Sequence, residues 1–384
     1  MKSIKTKIVI AVLLCALMTI GICGGIAIYN SFVTSYEDSK REMQMYCENK
    51  SEQLDQKMEK VEQSVDTVYS IAALKLTDVS SFQKDKSYVD AYTEEMKDVL
   101  LEAASHTEGA LTAYIRYNPE FTEPESGLFL TRNSSAEAFE SVTPTDFSMY
   151  DSSDVEHVGW YYIPVQNKAA TWMSPYYNAN VDVYMISYVI PIYVNDQSIG
   201  IVGMDIDYQE LTDVVDSSAI FESGSAALTD ENGTILYHKD IEMGTDLSSV
   251  VSNANEFASV LSDPQAEDTI FEYQMDGTDK SMCYSTLENG MKYILTAPRR
   301  ELRLEAVNLA NLIMRGIIIA LILAVVIGAV VSRILIKPIR QITEIVSETA
   351  QFNFAHNSAN DELYKRKDET ANMARSLHQM RKNL

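Results

Sequence analysis

The sequence predicts an α+β protein anchored in a membrane by two helices. Three observations carry that expectation. Two uncharged apolar runs, residues 8–28 and 316–332, lie toward the two ends of the 384-residue chain. Between them the pattern alternates between helical and strand periodicity. After the second run, two short heptad-like stripes follow one another.

Charge divides the chain in the same places. Residues 30–305 carry 49 acidic and 18 basic side chains, a balance of −31, whereas the two ends carry 6 acidic and 13 basic ones. An acidic middle argues against a nucleic-acid partner, which needs clustered Lys and Arg. The hydrophobic share, 46%, is enough for a folded core.

Residues 8–28 form a first span of 21 residues, about 30 Å as a helix and so the depth of a bilayer core. A cleaved signal peptide is the alternative. The run is long for one, no small-x-small site closes it, and the segment that follows reads as helix. Ile22 directly before Cys23 also spoils a lipoprotein-type site. The second span covers residues 306–333, with Arg315 snorkelling toward the outer interface. Lys2, Lys5 and Lys7 flank the first span, and Arg333, Lys337 and Arg340 follow the second. The positive-inside rule then places residues 1–7 and 334–384 in the cytoplasm and residues 29–305 outside a plasma membrane.

A long helix continues outward from the first span. Leu54, Met58, Val61, Val65, Val68 and Ala72 form a heptad-like stripe along it, either a core face or a dimer seam. From about residue 78 the pattern changes. Residues 111–117 and 127–131 read as strands. Residues 184–194 and 199–206 form a strand pair around the turn 195–198. Asp207 then caps a helix, with Glu210 completing a capping box. A second α/β unit, residues 217–298, holds a hairpin around 230–233, another around Asp276-Gly277, and a closing strand at 291–297.

Four cysteines are too few for a disulfide framework. Cys15 and Cys23 lie in the first apolar run and read as small hydrophobes. Cys47 and Cys283 read as free thiols, with pairing in an oxidising space as the alternative. No zinc-type spacing occurs, and neither a metal nor a cofactor is expected.

Four segments carry a resemblance. Trp160-Tyr161-Tyr162-Ile163-Pro164, Trp172-Met173-Ser174-Pro175-Tyr176-Tyr177, Ser187-Tyr188-Val189-Ile190-Pro191 and Gly200-Ile201-Val202-Gly203-Met204-Asp205-Ile206-Asp207 follow in order between the two spans. This series resembles double-Cache sensor domains over most of residues 29–305. The resemblance implies a long helix carrying two PAS-like modules. The membrane-distal one, residues 78–212, holds the ligand, and the proximal one, residues 217–298, passes on the signal.

Aromatic side chains crowd the distal module, and aromatic walls suit a small apolar or cationic ligand. The plainer reading of any one ring is core packing. Strand alternation puts Ile201, Gly203 and Asp205 on one face, so Asp205 is expected where glycine leaves room for a ligand. In amino-acid-binding double-Cache domains, an aspartate at this place binds the ligand's amine. That pattern also has an arginine two residues before the tryptophan and an acid two residues after the tyrosine. Here those positions are Val158 and Asn178, although Asp182 lies close by and Arg116 is a substitute carboxylate clamp. The candidate ligand-binding set is Arg116, Trp160, Tyr161, Trp172, Tyr176, Asn178, Asp182 and Asp205. An amine acceptor without the arginine clamp tilts the expected ligand toward amines or another ligand without a carboxylate, with an amino-acid-like ligand as the alternative.

Beyond the second span, Ile339, Ile342, Val346 and Thr349 form one stripe. A connector runs through Phe352-Asn353-Phe354. After Asp368-Glu369, a second stripe comprises Met373, Leu377, Met380 and Leu384. Residues 334–384 thus resemble a HAMP domain, a parallel four-helix bundle in a homodimer. Thr370-Ala371 stands where a small-apolar pair is usual, and the connector glycine is missing. Membrane-surface helices are the alternative.

No nucleophile–base or metal set can be assembled, so an enzyme is not expected. His378 lies off the second stripe and reads as a solvated side chain rather than a phosphoacceptor. No kinase phosphoacceptor box, cyclase or phosphodiesterase signature or long chemoreceptor coiled coil occurs in these 384 residues, so the output is expected from a cytoplasmic signalling partner or a missing module. The expected function is a transmembrane receptor for an extracellular small molecule, of chemotaxis type. The alternatives are the input half of a sensor histidine kinase or diguanylate cyclase, and a surface ligand-binding protein that does not signal.

Overall fold

The computed structural model describes residues 4–178, 183–218, 220–267, 269–353, 355 and 360–383. Asp182, Phe354 and Leu384 lie outside the described residues. The chain opens with one helix, α1 (Ile4–Lys75). The fold then divides into two compact units, residues 39–302, and residues 1–38 together with 303–384.

In the larger unit the α1 stripe is a core face. Leu54, Met58, Val61, Val65, Val68 and Ala72 are all buried within their own chain. The seam reading of that stripe is therefore corrected: these side chains are already in use. Polar contacts fasten the same helix on its flanks. Tyr92 donates to the Ala72 carbonyl at 2.7 Å, Lys57 pairs with Glu210 at 2.8 Å, and Asp55 accepts from the Glu288 amide at 3.0 Å.

Two short-linked helices follow, α2 (Val79–Lys84) and α3 (Lys86–Ser105), each started by an aspartate that accepts a first-turn amide, Asp78 and Asp85. The first sheet is antiparallel. It contains β1 (Ala110–Tyr117), β2 (Gly127–Thr131) and β3 (Glu140–Ser141). After α4 (Val155–Asn167) come β4 (Thr171–Trp172), β5 (Tyr176–Asn178), β6 (Val183–Val194) and β7 (Gln197–Asp207). The order is β3-β2-β1-β7-β6-β4, with β5 also paired to β6. The centre of this sheet is β7, paired with β1 on one side and β6 on the other.

The β6–β7 turn is tighter than the four residues read from the sequence. Asn195 and Asp196 both take positive φ, 51° and 64°, so two residues suffice. Asn and Asp tolerate that conformation, and the turn matches the right-handed twist of the strands. The capping box at the next helix, α5 (Gln209–Asp216), is also corrected. Asp207 accepts the Gln209 amide at 2.8 Å, but Tyr208 holds the N-cap and makes no side-chain cap. Glu210 is drawn instead to Lys57, an ion pair that outweighs reaching back to its own backbone.

The second sheet holds β8 (Ser225–Thr229), β9 (Ile235–Tyr237), β10 (Phe271–Met275), β11 (Thr278–Thr286) and β12 (Lys292–Pro298), in the order β10-β11-β12-β8-β9. Its core clusters Ile235, Phe257, Leu261, Met282 and Ile294, with Phe257 and Leu261 supplied by α6 (Ala254–Leu261). The short α7 (Arg299–Leu302) closes this unit. There Glu301 accepts the amides of Glu222 and Ser223 at 3.1 and 3.0 Å.

In the smaller unit, α8 (Leu304–Val331) runs through a π-helical turn, Ser332–Ile336, into α9 (Lys337–Ala350). Then follow α10 (Asp361–Tyr364) and α11 (Glu369–Asn383). Two helices, α1 and α8 with its continuation, are long and apolar enough to cross a membrane. Large apolar side chains such as Leu14, Met18, Ile22, Ile319, Ile322 and Val326 are exposed along them. Ile342, Ile345, Leu363 and Ala374 form a small core among α9, α10 and α11, with Leu377 packed against it. Ile339, Val346, Met373 and Met380 stay exposed. Asp368 accepts the Ala371 amide at 3.2 Å and so caps α11. The Arg366 guanidinium beside it holds the Asp368 carboxyl well below the usual carboxylate range.

Candidate functional site

Strand register builds the site. Asp205 on β7 stands opposite Thr112 on β1 and Ser187 on β6. Those three side chains share one face of the sheet, with Tyr114 two residues along from Thr112. The Asp205 carboxylate is buried and accepts hydrogen bonds from the hydroxyls of Thr112, of Tyr114 at 3.0 Å and of Tyr176 at 3.2 Å. Burial pushes the Asp205 carboxyl up from its ordinary value, and the surrounding hydroxyls partly offset that. Burial, and after it the same acid, push Tyr114 and Tyr176 up, so both phenols stay protonated donors.

These groups form the floor of a cavity of about 640 Å³, within the usual range for small-molecule sites. Trp160 meets Tyr114 edge-on at 5.0 Å, and Tyr114 stacks on Phe129 at 5.3 Å. These rings make one wall. Tyr176, Tyr177 and Asn178 from β5 make another side, Glu156 and His157 stand in the first turn of α4, and Tyr150 comes from the segment before that helix. Asp154 caps α4 through the His157 amide at 3.1 Å and takes the His157 ring nitrogen at 3.0 Å. That ring stacks on Tyr150 at 4.7 Å. The cavity lining contains the acids Asp205 and Glu156 and, among the described residues, no Lys or Arg. No group of three metal-ligating side chains occurs among the described residues.

Of the eight candidate residues, Trp160, Tyr176, Asn178 and Asp205 line this cavity. Three others lie elsewhere. Arg116 shares the face of Tyr114 but sits further along β1, fully buried. Its Nη2 donates to the carbonyls of Pro124 and Thr145 at 2.9 and 2.7 Å, and its guanidinium lies 4.4 Å over the Phe147 ring. Burial lowers the Arg116 pKa to about 10. Arg116 is not among the lining residues of this cavity; only its Nη2 is bonded to backbone oxygens, while Nε and Nη1 are buried without a hydrogen-bond partner. Tyr161 packs on Phe147 at 4.7 Å, in the core cluster that also holds Val158. Trp172 donates to Glu62 on α1 at 2.7 Å and leans on Tyr188. Asp182 lies outside the described residues.

One expectation fails in an informative way. Gly203 does not leave space for a ligand. A Cβ there would stand 2.3 Å from the Tyr114 ring, so the glycine makes room for Tyr114. Thr112 and Tyr114 were missed because β1 reaches β7 only through tertiary pairing. Their alternate spacing on a strand was the available signal. Glu156 and His157 were missed because a helix start beside the tryptophan was not read.

The family model described as a Cache domain matches residues 30–306. The sensory domain of the Campylobacter jejuni chemoreceptor Tlp3 is similar in fold, with a TM-score of 0.51 and 14% identity, covering 71% of this chain and 98% of that one. A structure of the same receptor's ligand-binding domain in complex with L-valine gives 0.51 and 14%, covering 71% and 97%. The extracellular domain of mmHK1S-Z3, described as a histidine kinase, gives 0.53 and 18%, covering 72% and 98%. A comparison with curated proteins finds no match. With two antiparallel sheets carried on one long helix and a family match across the whole larger unit, the chain belongs to the Cache domain family.

Proposed function

We propose that this chain is a membrane-spanning receptor whose distal module, residues 78–212, binds a small amine outside the cell. The observation that carries the ligand class is the cavity lining: two acids, four tyrosines and a tryptophan, with no Lys or Arg among the described residues. A cation gains from Asp205 and from the ring faces. A free carboxylate meets no arginine fork there. The Tlp3 ligand-binding domain has been solved with L-valine, and the absence of an arginine from this lining among the described residues is what separates the proposed ligand from an amino acid.

The exposed apolar lengths of α1 and α8 support two membrane spans, residues 8–28 and 306–333. The basic residues beside each support cytoplasmic termini. The pair α9 and α11, packed together around Ile342, Ile345 and Ala374, supports a HAMP-type domain over residues 334–384. Its exposed Val346, Met373 and Met380 are the side chains that a homodimer would cover. The signal then passes from the distal to the proximal module, and through α8 to this helix pair, to a chemotaxis-type output.

The test is calorimetry on the detergent-solubilised chain with a panel of amines and amino acids. Tight binding of ordinary amino acids without binding of amines would overturn the ligand class. Single cysteines placed at Ser134 and Ser376 test the topology. A membrane-impermeant maleimide applied to intact cells should label the first and spare the second.

A further inference from the structure

Cys47 on α1 and Cys283 on β11 are both 2% exposed. Their surroundings are reciprocal. The Cys283 Sγ lies 3.5 Å from the carbonyl of Met43, in the helical turn that leads to Cys47. The Cys47 Sγ lies 3.9 Å from the carbonyl of Tyr293, on the strand paired to β11. Each thiol thus rests on the structure that carries the other. Both also line a cleft of about 310 Å³ together with Arg41, Glu48 and Glu267, large enough for a small thiol reagent. The neighbouring Cys283 thiol, together with burial, pushes the Cys47 thiol well up. It is therefore held protonated and slow to react at neutral pH.

We propose that Cys47 and Cys283 are a thiol pair that closes to a disulfide under oxidising conditions and fastens α1 to the second sheet. The oxidant class is a small-molecule disulfide. One cysteine thiolate attacks a sulfur of the reagent, forming a mixed disulfide and releasing one thiolate, which takes up a proton. The second cysteine, deprotonated, displaces the other half of the reagent. Two protein thiols are oxidised, one reagent disulfide is reduced to two thiols, and protons balance. The bond joins a segment near the start of the larger unit to one near its end, so it closes a very long loop. Oxidation would thereby set how freely α1 shifts against the sheet. Only the outside placement of the pair rests on the function proposed above.

The experiment uses the full chain carrying Cys15→Ser and Cys23→Ser in detergent, treated with oxidised glutathione. The chain is then unfolded in acid and its free thiols are tagged with a mass-labelled maleimide. The expected result is a monomer with no tag, and two tags after dithiothreitol. Thermal unfolding of the oxidised chain should rise by several degrees over the reduced one, with no such rise for Cys47→Ser or Cys283→Ser. Two tags after oxidation, two separate glutathione adducts, or a covalent dimer in place of the internal bond would each overturn the pairing. In cells, a membrane-impermeant phosphine should open the bond. A bond that forms in detergent but resists that reductant in intact cells overturns the outside placement and not the pairing.

Discussion

The Tyr176 hydroxyl, on the short strand β5, donates to the Asp205 carboxylate on β7 at 3.2 Å. Thr112 and Tyr114 reach the same acid from β1, on the other side of β7. The acid is therefore held in place by hydroxyls contributed from two sides of the sheet. Hydroxyl donors fix its position but leave its charge uncompensated, and an ammonium group would supply the missing opposite charge.

Asp205→Asn should keep the shape of the floor and remove that charge. Amine affinity should fall by about 2 kcal/mol or more, roughly thirtyfold, the scale for losing one member of a buried charged pair. Calorimetry with the same amines reads the effect. Unchanged affinity would show that Asp205 is a structural acid satisfied by its hydroxyls alone.

The raised Asp205 pKa gives two opposite pH trends. In the ligand-free fold the carboxyl keeps its proton where the unfolded chain has released it. Asp205 therefore favours the folded state below the ordinary carboxylate pKa, and that contribution is lost as pH rises through the folded value. Amine binding needs the ionised acid, so affinity should rise across the same interval. Thermal melts and titrations from pH 4 to pH 8, wild type beside Asp205→Asn, should separate the two. A variant whose pH trends match the wild type would refute the assignment of both to this carboxyl.

Val158→Arg is the obvious way to install the missing carboxylate clamp, and it should fail. Val158 is fully buried against Tyr114, Phe147, Tyr161 and Ile201 and does not line the cavity. An arginine there puts an unpaired charge into a packed core, costing about 3 kcal/mol or more of stability. A lowered melting temperature without gain of amino-acid binding is expected. A stable variant that binds amino acids would show that α4 can turn this position into the cavity.

Crosslinking at the inner helices should distinguish two faces of α9. Val346 is exposed in the single chain, whereas Ile345 is completely buried against its own α10 and α11. A cysteine at Val346 should give covalent dimers in membranes, and one at Ile345 should give few. Equal yields at both, or efficient dimers only at Glu344, would refute a seam along Val346.

Much of the local structure was legible because alternation and turn chemistry are local. The β6–β7 pair stands out by β-branched runs, and the Asp276-Gly277 hairpin by its turn dipeptide, around residues that tolerate positive φ. Asp205 was legible as an acid on an apolar strand. Its partners were not, because Thr112 is set opposite it by pairing between segments far apart in the chain. The same distance hid the true use of Gly203. Arg116 and Trp172 were misplaced for a related reason. Each bears a group suited to a ligand, yet neither lines the cavity: the Arg116 Nη2 goes to backbone carbonyls and Trp172 goes to Glu62.

The contact between Gly203 and the Tyr114 ring has a consequence for how such a receptor changes its preference. Position 203 lies beneath the cavity floor and is not among its lining residues. A methyl group added there has to lift the ring above it or drive it aside. The volume and hydroxyl geometry offered to a ligand would then change with no substitution at any surface the ligand meets. For the ligand site proposed above, selectivity would then be adjustable from below, and a variant screen confined to the lining residues would overlook position 203.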